Sequence, residues 1–402
     1  MSERRSDGAQ PADRAQALHE AGDAHGREGQ LGEALAAYSA AIALNPQSPF
    51  LCYNAGNMLR ALGRPHEAIV RYDEAAALAP EFAIAQHNRA LCFLELGDLV
   101  TGFRAYEWRK SCPTFDDPRY GLPRQWAGEA IAGKTLFIYP ELYQGDLMQF
   151  GRYALLAERA GARVLMGAPA PMHPLLRTMS PTIELLAAEA TPEAYDYACA
   201  LMSLPAAFGT TLQTVPHGTY LHADPTRVAR WRQVIGVEGF KVGIAWQGSS
   251  RATDRSFPLA AAAGLAGIPG VRLISLQKHA GLDQLASLPA GMTVETLGED
   301  FDPGPDAFVD TAAAMQACDL LITPDTSVVH LAGAMGLPTW LALNAPGDWR
   351  WLQDRADSPW YPMVRLFRQP SRGDWAGAFE AMARALSAMV CQPRGSGLTS
   401  CW

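Results

Sequence analysis

The stretch Asp319–Leu343, DLLITPDTSVVHLAGAMGLPTWLAL, reads as strand, turn, helix and strand. Leu320, Leu321 and Ile322 form a short apolar run suited to a strand buried on both faces. Pro324, Asp325, Thr326 and Ser327 supply the turn and the helix cap. Val328, Leu331, Ala332 and Met335 recur at helical spacing. Gly336 and Pro338 end the helix, and Thr339 opens the next strand. A βαβ unit leaves the free N–H groups of its helix at the carboxyl edge of the sheet, which suits an anion. Thr326, Ser327 and His330 stand at that mouth. Asp, Thr and Ser are equally ordinary helix caps, so the segment alone leaves ligand binding and plain capping both open.

Working outward, the chain has 402 residues, 49% apolar, with a net charge of −8. That length predicts two or three domains, and the acidic balance argues against a broad nucleic-acid surface. The start carries no apolar signal core, and no apolar run is long enough to span a membrane. A soluble, cytoplasmic protein is expected. Seven cysteines, scattered and never in a C-x-x-C pair, argue against a structural zinc or a disulfide framework.

The first third repeats. Gly29, Gly63 and Gly97 lie 34 residues apart, as do Tyr38, Tyr72 and Tyr106. Ala34 and Ala68 keep the register, with Gly102 in third place, and Pro46 and Pro80 repeat it again. This pattern resembles the tetratricopeptide repeat, in which helix pairs stack because none buries its apolar face alone. Small Ala34, Gly56 and Ala68 admit close helices, and Tyr38 and Tyr72 fill gaps. Asn54, Asn57, Asn88 and Arg89 are either groove residues for a protein segment or solvated polar faces. The division is a polar tail over 1–14, repeats over 15–112 and a linker over 113–132.

Two α/β halves follow, 133–238 and 239–392. Strands are expected at 135–139, 163–167, 183–186 and 195–202, then at 241–246, 271–276, 293–297, 320–322, 339–343 and 364–367. Helices alternate with them, which predicts parallel sheets covered on both faces. Ligands then bind between the facing carboxyl edges.

Gly145-Asp146 after the first strand, Lys241–Trp246 with its polar loop, and Asp325-Thr326-x-x-x-His330 carry a resemblance. Residues 133–390 resemble a glycosyltransferase of the bacterial heptosyltransferase class, family 9-like, with the GT-B arrangement of two Rossmann-like domains facing a cleft. With its repeats, the chain is similar to a bacterial subgroup thought to modify proteins, as is the tail from Asp348-Trp349-Arg350-Trp351 to Trp360-Tyr361-Pro362. The resemblance implies metal-independent, inverting sugar transfer from a nucleotide-sugar donor to an acceptor hydroxyl, without a cofactor. It implies Asp146 as general base, with Glu141 in reserve. It implies donor contacts from Asp325, Thr326, Ser327, His330, Arg251 and Arg255, and more distantly from Gln277 and Lys278. Trp349 is a candidate platform for the ligand.

On the residues themselves, Asp146 also suits a helix cap, and the arginines also suit a plain polar loop. Tyr143 stands where the family pattern has glycine, which predicts a narrowed acceptor pocket or altered loop dihedrals. Asp300-Phe301-Asp302 is a D-x-D, read as an acidic turn rather than a metal site. The leading function is transfer to a protein presented by the repeats. Its rivals are a repeat scaffold with an inert transferase domain, and a transferase for a glycan or lipid-linked acceptor.

Overall fold

The computed structural model describes residues 10–141, 143–248 and 255–391. The chain forms two compact units. One runs to Asp117 and includes Asp348–Gln353; the other takes Pro118–Gly347 and continues from Asp354. Candidate Arg251 lies outside the described residues.

The first unit is an array of helix pairs: α1 Pro11–Arg27, α2 Leu31–Leu44, α3 Pro49–Ala61, α4 Pro65–Leu78, α5 Ala83–Glu95 and α6 Leu99–Tyr106. Helix α1 therefore opens inside the expected polar tail, with proline in its first turn. Gly29, Gly63 and Gly97 turn each pair at φ 76°, 73° and 84°, a region closed to most side chains. Tyr38 and Tyr72 lie flat on glycines that are themselves 34 residues apart: a Cβ on Gly22 would meet Tyr38 at 2.6 Å, and one on Gly56 would meet Tyr72 at 2.7 Å. Their hydroxyls donate to Asp23 at 2.6 Å and Asn57 at 2.8 Å. In the third pair, Gly102 has no room for the Ala of the earlier repeats, because its Cβ would fall 2.6 Å from Leu94. The presumed groove residues brace neighbouring helices. Asn54 meets His19 at 3.1 Å, Asn88 donates to Asn57 at 2.9 Å, and Arg89 pairs with Asp73 at 2.7 Å.

Asp348–Gln353 packs in this unit, so Trp349 is not a ligand platform. It is 3% exposed and sits edge-on to Phe103, ring centroids 5.7 Å apart, with Tyr106 at 6.3 Å. The end of a repeat array exposes apolar surface that something must cover.

His87 on α5 is buried between Tyr106 and Phe115, each 5.1 Å away, and burial lowers its pKa from 6.5 to about 4. The unfolded chain therefore binds a proton that the folded chain refuses. The stabilisation from neutral His87 is complete above pH 6.5 and falls away as pH drops toward about 4. Between pH 7 and 5 the full-length protein is expected to lose about 1–2 kcal/mol that His87→Phe retains, as read from urea midpoints. Parallel pH profiles for the two proteins would contradict this.

The second unit holds two parallel sheets. The first contains β1 Thr135–Tyr139, β2 Arg163–Ala168, β3 Glu184–Ala187 and β4 Tyr197–Ala200, in the order β3-β2-β1-β4. The expected linker belongs here from Pro118 onward. Trp126 N donates to Ala198 O at 2.8 Å and Ala198 N to Arg124 O at 3.1 Å, satisfying the open edge of β4. The helices of this half are α7 Gln144–Phe150, α8 Arg152–Arg159, α9 His173–Leu176, α10 Leu204–Ala207 and α11 Pro225–Ile235. The single helix expected over 147–160 starts earlier and bends at Gly151.

The second sheet contains β5 Phe240–Ile244, β6 Val271–Ser275, β7 Leu320–Pro324, β8 Thr339–Leu343 and β9 Val364–Arg368, in the order β6-β5-β7-β8-β9. The strand expected at 293–297 is reduced to a parallel bridge from Glu295 to Ile274. Counting it, the order follows the dinucleotide-fold pattern. Helices α12 Ala263–Ala266, α13 Val309–Met315, α14 Ser327–Ala334 and α15 Trp375–Val390 complete this half. Val242, Ile244, Leu320, Ile322, Trp340 and Ala342 meet Phe379, Met382 and Leu386 of α15 in one core. Helix α13 is shorter than expected because Asp302 caps it, accepting from Asp310 N at 2.8 Å and Thr311 N at 3.1 Å. Asp302 is thus a cap, while Asp300 pairs with Arg230 at 3.1 Å.

Candidate functional site

Strand β7 delivers Asp325 and Thr326 to the carboxyl edge of its sheet. Thr326 caps α14 in extended backbone, φ −136° and ψ 178°, with its hydroxyl 3.4 Å from Val328 N. Asp325, 4% exposed, accepts from Arg255 Nη1 at 3.3 Å. The acid thus anchors an arginine whose side chain is 39% exposed, beside the helix tip. His330 lies one turn in, 6% exposed, with Nδ1 3.1 Å from the Tyr361 hydroxyl.

Helix α7 of the other half comes against this tip. A Cβ on Gly145 would sit 3.0 Å from His330 Cδ2 and 3.6 Å from Ser327 Cα. A methyl group at 145 would require the His330 ring to give by a few tenths of an ångström. Asp146, 5% exposed, accepts from Tyr143 N at 3.1 Å and so restrains the turn into α7. Tyr143 itself has φ −123° and ψ 164°, ordinary for any residue, and is 68% exposed. It neither requires glycine nor fills the interior, which corrects the expected cost of its bulk. Two helix starts thus face each other, with Asp146, Asp325 and Arg255 as the nearby charges.

Other expected site residues have different work. Gln277 is fully engaged with backbone: its carbonyl accepts from Trp246 N at 2.9 Å and Gln247 N at 3.0 Å, and its amide donates to Gln247 O and Ala280 O, each at 2.8 Å. It braces the ends of β5 and β6 rather than contacting a nucleotide. Lys278 donates to Phe301 O. Glu141 accepts from Met202 N at 2.9 Å and from Tyr120, so the reserve base is a structural acceptor.

The sequence reading missed Arg152. It is 3% exposed and donates to Gln149 O at 2.7 Å, Pro216 O at 2.9 Å, Trp360 O at 2.8 Å and the Tyr220 hydroxyl at 2.8 Å. Its guanidinium lies 4.6 Å from the centre of the Tyr361 ring. Burial raises the pKa of Tyr220 and holds Tyr361 well above the ordinary range, against the pull of Arg152. The signal in sequence is an arginine set among the apolar residues Phe150, Tyr153 and Ala154. Among the described residues no group of three or more His, Cys, Asp or Glu is placed to hold a metal, and no helix is long and apolar enough to cross a membrane.

Comparison with known proteins supports the first unit most directly. The family described as "Tetratricopeptide repeat" matches residues 15–48. The chain is similar to Protein FlbA of Caulobacter vibrioides, 27% identical, over 88% of this chain and 70% of that protein. It is similar to the TPR repeat-containing thioredoxin TTL4 of Arabidopsis thaliana, 34% identical, over 24% of this chain and 14% of that protein. Similar solved structures include the first TPR of Spaghetti (RPAP3) bound to an HSP90 peptide, 24% identical, covering 24% of this chain and 77% of that one, TM-score 0.24. MamA is 23% identical, covering 24% of this chain and 57% of that one, TM-score 0.24. The chain is therefore an N-terminal helical array like the tetratricopeptide repeat, followed by an α/β unit of parallel sheets.

Proposed function

We propose that the α/β unit is a GT-B glycosyltransferase, metal-independent and inverting, and that the repeats engage its protein acceptor. The observation that carries this reading is the meeting of α7 and α14, start to start, at Gly145 and Ser327. It brings Asp146 from one sheet edge toward Thr326, His330 and Arg255 from the other. In this reading the acceptor oxygen attacks the anomeric carbon as the bond to the leaving phosphate breaks. The acceptor proton passes to Asp146. The departing diphosphate is held by the amides of Ser327 and Val328, the Thr326 hydroxyl and the Arg255 guanidinium, which replace a divalent ion. The 27% identity to FlbA spans both units but adds no chemistry.

A rival reading, an inert α/β unit on a repeat scaffold, draws on the existing Arg255–Asp325 pair and the tight contact at Gly145. Calorimetric titration with UDP, GDP, ADP and TDP in chelator separates the two. One of these is expected to bind, about 10-fold more weakly in Arg255→Ala and in Thr326→Ala, because each removes a donor to an anion. Binding unchanged in both variants, or no binding by the wild type, contradicts the cradle.

A further inference from the structure

The outer edge of the second sheet carries a cavity of 690 Å³, and none of the residues assigned above to the diphosphate lines it. Strand β9 is the last in its sheet. Its outer side is met by the 355–357 segment: Leu366 N donates to Ala356 O at 2.7 Å, and Asp357 faces Arg365 across an antiparallel bridge. The 212–217 segment of the first half adds Leu212 and His217 to the wall. That segment continues to Tyr220, whose N–H donates to Ala334 O at 2.9 Å at the end of α14, away from Thr326 and Ser327. A volume of this size suits a small organic molecule.

The charges in the wall are unevenly used. Residues opposite each other in an antiparallel bridge project to the same face, so Asp357 and Arg365 are neighbours. Yet Asp357 accepts from Arg355 with both carboxylate oxygens, from Nε at 2.8 Å and also from Nη2. Those bonds hold its carboxyl below the usual range, so it stays ionised. Arg365 has no hydrogen bond or ion pair among the described residues. Its guanidinium lies instead 4.8 Å from the centre of the Phe367 ring and 6.0 Å from that of Trp340. Aromatic support of that kind leaves the N–H edge unspent. Ser358, 6% exposed, accepts from Trp360 N at 3.2 Å through its Oγ, so its O–H is still to give. Two arginines against one aspartate leave the wall a positive charge, in a chain of net charge −8.

We propose that this cavity is a second binding site, for a small carboxylate with an apolar body. The carboxylate pairs with the Arg365 fork and the Ser358 hydroxyl, and the body lies against Leu212, Pro362 and Met363. A carboxylate carries the single charge that the wall lacks and takes two parallel N–H bonds from a guanidinium. The site stands apart from the transferase reading.

Full-length protein is titrated with cinnamate, and with neutral cinnamyl alcohol alongside, by calorimetry and by NMR of 13C-methyl-labelled methionine. The chain has 13 methionines, and Met363→Leu identifies the reporter by its loss. The wild type is expected to bind cinnamate with a Kd on the order of 0.1–1 mM and to show a shifted Met363 methyl. Arg365→Gln should weaken binding about 10-fold. Arg365→Lys keeps the stem and the charge but loses the fork, and should weaken it about threefold. Arg384→Gln removes the same charge from an exposed pair on α15, 3.9 Å from Glu380, and should leave binding unchanged. Urea midpoints show whether the variants fold; if Arg365→Gln does not, Arg365→Lys decides. No binding by the wild type at about 10 mM cinnamate, full affinity in the Arg365 variants, equal binding of the alcohol, or an unmoved Met363 methyl overturns the proposal.

Discussion

Arg152→Met is expected to cost the α/β unit about 4 kcal/mol, enough to leave much of the protein unfolded at growth temperature. The guanidinium serves four acceptors that come from the end of α7, the 216–220 segment and Trp360. Methionine fills similar volume but leaves three buried carbonyls and a tyrosine hydroxyl short of a donor. Each such group costs about 1–3 kcal/mol, partly relieved by local adjustment. Arg152→Lys keeps the charge without the planar fork and should fall between the two. Urea unfolding of the three full-length proteins reads the order directly. A methionine variant with a wild-type midpoint would show that the 216–220 and 360–361 segments are held by something else.

Asp146→Asn is expected to lower sugar transfer by about 10²- to 10⁴-fold. The substitution is nearly isosteric, and the asparagine carbonyl still accepts from Tyr143 N, now 3.1 Å from the carboxylate. The turn into α7 therefore stays intact, and donor affinity should stay within about twofold of the wild type. That combination separates a base from a cap. A pure cap would lose stability and little turnover in Asp146→Ala, and neither in Asp146→Asn. Turnover unchanged in the asparagine variant would move the base elsewhere.

Much of the fold was legible because its constraints are local or periodic. Gly29, Gly63 and Gly97 announce turns that need positive φ, and Tyr38 and Tyr72 announce a packing unit of fixed length. The buried parallel strands show as apolar runs because both faces are covered. Leu320–Pro324 and Thr339–Leu343 are buried at every position. What escaped the reading depends on partners distant in sequence. Trp349 looked like a ligand platform from its polar-aromatic neighbours, yet its partners are Phe103 and Tyr106. A consequence is that deleting residues 1–112 does more than remove the repeats: it uncovers Trp349. The segment from Pro118 looked like a linker because of its proline and glycine, but an open strand edge recruits it. Gln277 sits at a strand end like a ligand contact, yet in the fold its amide is fully used by backbone groups.

At the candidate site, the sequence placed Asp146, Asp325, Thr326 and His330 near strand ends but carried no sign of what stands behind them. Tyr361 meets His330 Nδ1 at 3.1 Å, the Arg152 guanidinium lies 4.6 Å from the centre of the Tyr361 ring, and neither residue lies in a motif with His330. Gly145 was noticed as a neighbour of Asp146, whereas its close approach to Ser327 and His330 shows only in the fold.

The most direct measurement follows release of nucleoside diphosphate from a panel of UDP-, GDP-, ADP- and TDP-sugars, with purified protein in the presence of chelator. The account predicts release from at least one donor, stimulated by a protein acceptor and lost in Asp146→Asn. If every donor remains intact and unbound, the facing helix starts are a structural joint and the transferase reading is wrong.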